Sequence, residues 1–418
     1  MISKLRCTAC LAALVTLAAC GSGGTTGTGG GTGTGGGTGT GGGTGTGGGK
    51  GTGGGTGTGG GTGTGGGTGT GGGTGTGGGT GTGGGTSTGS TFAIVRVGPA
   101  FDGGVLSNAS TQVTLEVRDL TTGMVVTSYP LPTSATATNQ PFTLSGSATS
   151  DGVLNQGTNG DLALAGYASA PGIAQVVSST TVPRVVARIR PDAGIDTSTL
   201  VSDAYPGNNL RSAATVDGAA YWLGGTASAD AGVRTTTHGS TGATTAVFTD
   251  IQNIRATHIF AGQLYASTAA GTQPDGGLTY SRIFAVGTGI PTTTATVTYL
   301  PGVNISLASS FVLLDRSATV AGLDVLYAAD TGAGTGVRKY TFNGTVWAEE
   351  ARLNGNFPAT AGCLHVAARA INNTVVVLCS ADNGVVYRFD DAAGTTPMAT
   401  ILATAPAGTA FRGITLGQ

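Results

Sequence analysis

Charge is scarce in this 418-residue chain: Asp, Glu, Lys and Arg together make up 9%, and glutamate occurs only at Glu116, Glu349 and Glu350. Paired-glutamate chemistry therefore has almost nothing to draw on, and any acid pair would have to come from aspartates. Histidine is limited to His238, His258 and His365, with no H-E-x-x-H or other metal-ligand spacing, so no metal or cofactor is expected. No G-x-S-x-G nucleophile elbow occurs after residue 91. Lysine after residue 91 is reduced to Lys339, and no basic stripe exists, which argues against nucleic acid as a partner. Nor is there an apolar run approaching the ~20 residues that a membrane-spanning helix needs.

Glycine is abundant, but 44 of the 81 glycines lie between Gly21 and Thr91. The remaining stretch, 92–418, carries 16 bases against all 20 acids, a formal charge of −4, and is long enough to bury a large core. The chain thus divides by composition into 1–19, 20–91 and 92–418.

Residues 1–19 read as an export signal, with Lys4 and Arg6 ahead of the short apolar stretch Cys7–Leu17. Leu17-Ala18-Ala19-Cys20 resembles the bacterial lipobox. That resemblance implies cleavage before Cys20, diacylglycerol on its thiol and a fatty acyl chain such as palmitate on the new amino terminus. Such anchors hold a protein to a bilayer without a spanning helix. Gly21, rather than Asp, after the cysteine implies sorting to the outer membrane; which side the protein faces stays open. From Thr28 to about Thr86 the sequence repeats Thr-Gly-Thr-Gly-Gly-Gly, broken only by Lys50. With no strand before it and no helix after it, the tract is not a phosphate loop. Its composition predicts a disordered, flexible linker of roughly 45–50 Å reach.

Beyond Thr91, short β-branched runs alternate with Gly, Asn, Asp and Pro, and no segment has a helical period. Asp161–Tyr167, Ala220–Gly225, Gln263–Ser267, Val325–Asp330 and Val376–Ala381 look equivalent, each preceded by one strand and followed by others. Four strands recurring every ~45–60 residues predict an all-β fold, a six-bladed β-propeller. Seven blades follow if the stretch before Asp161 holds another, and a β-sandwich pair or solenoid is the alternative. Phe411–Leu416 reads as a first strand lacking successors, and Phe92–Val97, Val113–Asp119 and Val125–Leu131 as three strands lacking a first. Pairing them closes the ring and removes two exposed edges. Tyr221–Gly225 is similar to the double-glycine strand of kelch repeats in one repeat only, too little to carry that name.

Several local patterns invite chemistry. After the signal is removed and Cys20 modified, Cys363 and Cys379 remain as a candidate disulfide. A tight turn at Asn372-Asn373 sets residue 366 opposite Cys379, which separates the pair; a three-residue loop centred on Ile371 opposes them directly. Thr215–Trp222 approaches the sialidase Asp-box but lacks the residue between Asp217 and Gly218, so it reads as a hairpin. Asn155–Asp161 lacks the closing glutamate of a calcium loop. Ser240 beside His238 is too slight a sign for a triad.

One constellation recurs by position. Arg211 and Arg255 open two successive first strands in Asn-x-Arg contexts, Arg412 opens the closing one, and His365 stands at a similar place. First strands line a propeller's channel, so these four side chains would meet at one mouth and could bind an anionic ligand. Alternatively, Asp203 and Asp250 pair with Arg211 and Arg255 and stitch blades together. The sequence therefore suggests a monomeric, lipid-anchored, non-enzymatic binding module. A polysaccharide hydrolase or lyase and a structural surface protein are the other classes.

Overall fold

The computed structural model describes residues 91–99, 104–269, 282–305 and 308–416, together with ten three-residue strands between Thr26 and Thr82. The signal segment and Cys20 lie outside the described residues. The chain separates into two units, Met1–Ser87 and Thr88–Gln418. In the first, alternate Thr-Gly-Thr or Lys-Gly-Thr triplets pair in parallel, forming two five-stranded ladders in which Thr26 sits opposite Thr38 and Thr80 opposite Thr68. A six-residue period returns every second triplet to the same ladder in register.

The second unit is a six-bladed β-propeller. Blade one has Ala410–Leu416 innermost, then Thr91–Val97, Ser110–Asp119 and Val125–Pro130. Blade two runs Leu154–Gln156, Leu162–Tyr167, Arg184–Ile189 and Ile195–Val201. Blade three comprises Leu210–Ala214, Ala220–Gly225, Gly232–Thr237 and Thr245–Phe248; blade four, Ile254–Phe260, Gln263–Thr268, Ile283–Val286 and Val297–Tyr299. Blade five has Ala308–Leu314, Val325–Asp330, Val337–Phe342 and Trp347–Leu353; blade six, Cys363–Ile371, Thr374–Ala381, Val385–Ala392 and Thr400–Thr404. The expected closure is present, with Phe92 opposite Leu416 and Ile94 opposite Ile414. The long stretch before Asp161 holds no seventh blade among the described residues. It contributes Thr143–Ser145, which pairs with both Ser110–Gln112 and Tyr167 and so fuses blades one and two into one nine-stranded sheet.

The reason for this arrangement lies in the strands. Side chains alternate across a sheet, and when both faces are covered a strand becomes a continuous apolar run. In Thr91–Val97, Phe92 and Ile94 face blade six, while Ala93, Val95 and Val97 face blade two. Each of the six apolar clusters fills the gap between two neighbouring blades. The core is therefore a ring of six interfaces around an axis. Outermost strands are only partly covered, as the exposed Val125 and Val126 show. Among the described residues, no helix is long and apolar enough to cross a membrane.

Candidate functional site at the channel mouth

The inner strands carry a shared irregularity. Register slips between Leu210 and Ser212, between Ile254 and Ala256, between Ala308 and Ser310, and between Cys363 and His365. The closing strand slips likewise between Phe411 and Ile414. A bulge re-aims one side chain out of the ladder. The residues skipped by three of these slips include Arg211, Arg255 and Arg412, so the recurrence seen in sequence has a backbone cause. His365 lies one residue beyond its bulge, which falls on Leu364, so it is not equivalent to the arginines. It projects instead beside its cross-strand neighbour Ser380.

The three guanidiniums have different surroundings. Arg211 is buried and saturated by neutral groups: it donates to Ser150 Oγ (3.0 Å), Thr226 Oγ1 (2.9 Å), Asn253 Oδ1 (3.1 Å) and the Ile254 carbonyl (3.0 Å). These acceptors come from around blades two, three and four, so Arg211 does stitch blades, but not through an aspartate. Asp203 instead lies 3.6 Å from Arg234 and accepts from Thr244, because the connection carrying it runs towards the outer strands of blade three. Asp250 is exposed and lines a cleft of about 530 Å3 between the outer strands of blades three and four, with Val247, Phe248, Thr296 and Tyr299. That cleft is far out on the blades, away from the arginines. Arg412 is buried and donates to the carbonyls of Phe411 (3.1 Å) and Gly146 (3.0 Å). Arg255, only half-buried, makes no hydrogen bond or ion pair among the described residues.

Their common counter-charge is Asp151, a residue that the sequence did not single out. It is fully buried, accepting from the Tyr167 hydroxyl (2.9 Å) and from Asn209 Nδ2 (2.8 Å). Burial raises its pKa, opposed chiefly by Arg211 and the two hydrogen bonds. Burial pushes the Arg211 guanidinium down to about 10, with Arg255 adding repulsion. Arg412 also falls to about 10 through burial, and Asp151 only partly offsets it. Arg255 is lowered by burial and by Arg282, against the pull of Asp151. All three arginines remain cationic at neutral pH, so one carboxylate is shared among several positive charges.

Deeper in the channel, the chain crosses its own axis chemically. His258 of blade four bonds through Nδ1 to Asn155 Oδ1 of blade two (2.7 Å), and its ring stands edge-on to Phe311 of blade five, 4.9 Å between centroids. Asn155 gives its amide to the Ala213 carbonyl (3.0 Å), which fixes its oxygen towards the imidazole and places the His258 proton on Nδ1. Burial depresses His258 to about 3. His365 falls to about 3 as well, through burial, repulsion from Arg412 and repulsion from His258; the nearby Thr149 carbonyl acts the other way. Neither of its ring nitrogens makes a hydrogen bond of good geometry.

The remaining sequence candidates take structural roles. Cys363 and Cys379 form a disulfide with Cα atoms 5.8 Å apart. The tight-turn register holds, with Val366 opposite Cys379, but the bulge sets Cys363 opposite Ala381 and so within diagonal reach. His238 faces Tyr221 (2.9 Å) and Asp196 (3.5 Å), while the Ser240 hydroxyl accepts from Gly242 N. Asp161 pairs with Arg188 at 2.6 Å, and Asp217-Gly218 is a hairpin turn held by Thr215.

No known protein family and no curated protein matches the chain in sequence. Among solved structures, it resembles one from a nidogen/laminin complex at 13% identity and TM-score 0.45, covering 78% of this chain and 98% of that one. It also resembles a putative 6-phosphogluconolactonase from Bacteroides uniformis (12% identity, TM-score 0.41, 76% and 83% covered). A periplasmic gluconolactonase of Pseudomonas aeruginosa follows at 11% identity and TM-score 0.39, with 77% and 83% covered. At these levels the likeness concerns the course of the chain, and no residue role is carried over.

Proposed function

We propose that this protein is tethered by acyl chains on Cys20 to the outer membrane of a bacterial cell envelope. There it presents a monomeric, non-enzymatic propeller on its Gly/Thr linker as a binding module for an anionic ligand. The observation that carries the ligand class is Arg255: a guanidinium at the mouth, without a partner among the described residues, beside Arg211 and under the influence of Arg282. A bidentate carboxylate or sulfate would satisfy it and offset the shortage of negative charge. Glycoside chemistry would need a second carboxylate facing Asp151. Both Asp151 oxygens are engaged, by Tyr167 and Asn209, which suits a structural counter-charge better than an acid–base role.

Calorimetric titration with citrate and with sulfate tests this reading. A hydrogen-bonded ion pair contributes about 1.5–3 kcal/mol, so Arg255→Ala should weaken binding roughly 10- to 100-fold. Failure of the unaltered protein to bind either anion would refute the ligand class. Tethering is tested separately by radiolabelled palmitate, whose incorporation should vanish in Cys20→Ser.

A further inference from the structure

Beneath the mouth, buried polar groups are out of balance. Arg412 is 3% exposed, yet among the described residues its guanidinium meets two backbone carbonyls and its Nε has no partner. His365 is 1% exposed and, apart from the nearby Thr149 carbonyl, its ring nitrogens meet no partner of good geometry among the described residues; the wholly buried Ser380 hydroxyl meets none there either. These groups belong together. His365 and Ser380 are cross-strand partners in blade six, both their strands pack against Ala410–Leu416, and Arg412 acts electrostatically on His365. Arg412 Nε and the Ser380 hydroxyl are donors, and neutral His365 offers one N–H beside one acceptor nitrogen. His258, which also acts electrostatically on His365, keeps its proton on Nδ1 towards Asn155, so its Nε2 is an acceptor.

A buried charge needs a counter-charge, since removing an ion from water costs several kcal/mol even after relaxation. Arg211 and Arg412 are both buried, and Asp151 is the one carboxylate acting on Arg412. Both Asp151 oxygens are already engaged, and Arg211 and Arg255 draw on the same charge. One positive charge is thus uncompensated in the neighbourhood of the Arg412 Nε and Ser380 donors. We infer that the channel holds a buried, halide-sized monovalent anion bound by Arg412 Nε, His365 and the Ser380 hydroxyl. Donors without a fixed planar fork suit a monatomic ion better than a carboxylate, which would seek the bidentate face that the two carbonyls occupy. This ion serves the ring and is independent of the mouth ligand, since it rests on Arg412 rather than Arg255.

Thermal unfolding of the purified full chain, with sodium gluconate replaced by sodium chloride or bromide at fixed ionic strength, tests the inference. An ion bound only to the folded state stabilises by mass action, and the midpoint should rise saturably by about 2–4 °C. Ser380→Ala and His365→Ala should each lose most of that rise, whereas Arg255→Ala should keep it while binding citrate more weakly. Bromide-soaked crystals should show anomalous density within hydrogen-bond reach of Arg412 Nε. Equal midpoints in gluconate and chloride would overturn the proposal. So would bromide found solely at surface guanidiniums, an adventitious ion only.

Discussion

Arg211 and Arg255 share a sequence context and a backbone bulge, yet they do different work. Arg211 holds neutral acceptors around three blades, so Arg211→Ala takes a charged donor from Ser150, from the Thr226–Asn253 pair and from the Ile254 carbonyl, and removes a neighbour of the buried Asp151. We expect it to lower stability by about 3–5 kcal/mol, the range for breaking a buried charged network. Arg255→Ala, which breaks no bond among the described residues, should stay within about 0.5 kcal/mol. Urea denaturation of both variants checks the contrast, and equal losses would deny the distinction. The buried histidines make a second test. Their folded pKa values near 3 lie below the ordinary 6.5, so the unfolded chain binds more protons at acid pH. Their contribution is whole above about pH 6.5 and is lost as pH falls towards 3. His258→Asn should flatten the decline in melting temperature between pH 6.5 and 4; an unchanged slope would contradict its burial as a neutral ring.

At the scale of strands and turns, much of this was legible in the sequence. Second strands such as Val325–Asp330 are continuous apolar runs because both sheet faces are covered, and that run is what marked each repeat. The bulges were not legible, because they depend on how an inner strand meets its neighbour rather than on any residue within it. This is why the sequence aligns His365 with the arginines, and why the tight-turn register by itself sets Cys363 and Cys379 apart while only a three-residue loop would oppose them. Asp151 left no signal at all: in Ser150-Asp151-Gly152 it reads as a turn, and only the ring brings it to Tyr167 and Arg211. Close inner-strand approach gives a prediction of its own. A Cβ on Gly413 would sit 2.1 Å from the Gly152 carbonyl oxygen and 2.4 Å from Leu154 N, both backbone atoms of blade two. Gly413→Ala should therefore cost about 3 kcal/mol or more, as overpacking with displaced backbone does. Gly242→Ala, whose Cβ would meet only Ser240 Oγ at 3.7 Å, should be close to neutral. A comparison of urea midpoints would expose an error if the two behaved alike.

For the whole molecule, the ring is what turns distant residues into neighbours. Arg412 and Gly146 are 266 positions apart in sequence, and Arg388 reaches Leu120 across 268. Each blade shares its two apolar faces with the next, so opening the ring at blade one exposes Phe92, Ile94, Phe411 and Ile414 together. The buried anion site depends on that closure directly, because the strand that completes blade one delivers Arg412, and the mouth depends on it because only a closed ring encloses a channel. Hydrogen–deuterium exchange on the intact chain tests it most directly. The amides of Ala410–Leu416 should be protected as strongly as those of Thr91–Val97 and Cys363–Ile371, and should exchange with them as one cooperative group. If Ala410–Leu416 exchanges at the rate of a free tail while the other strands stay protected, the propeller is open and the mouth described here does not form.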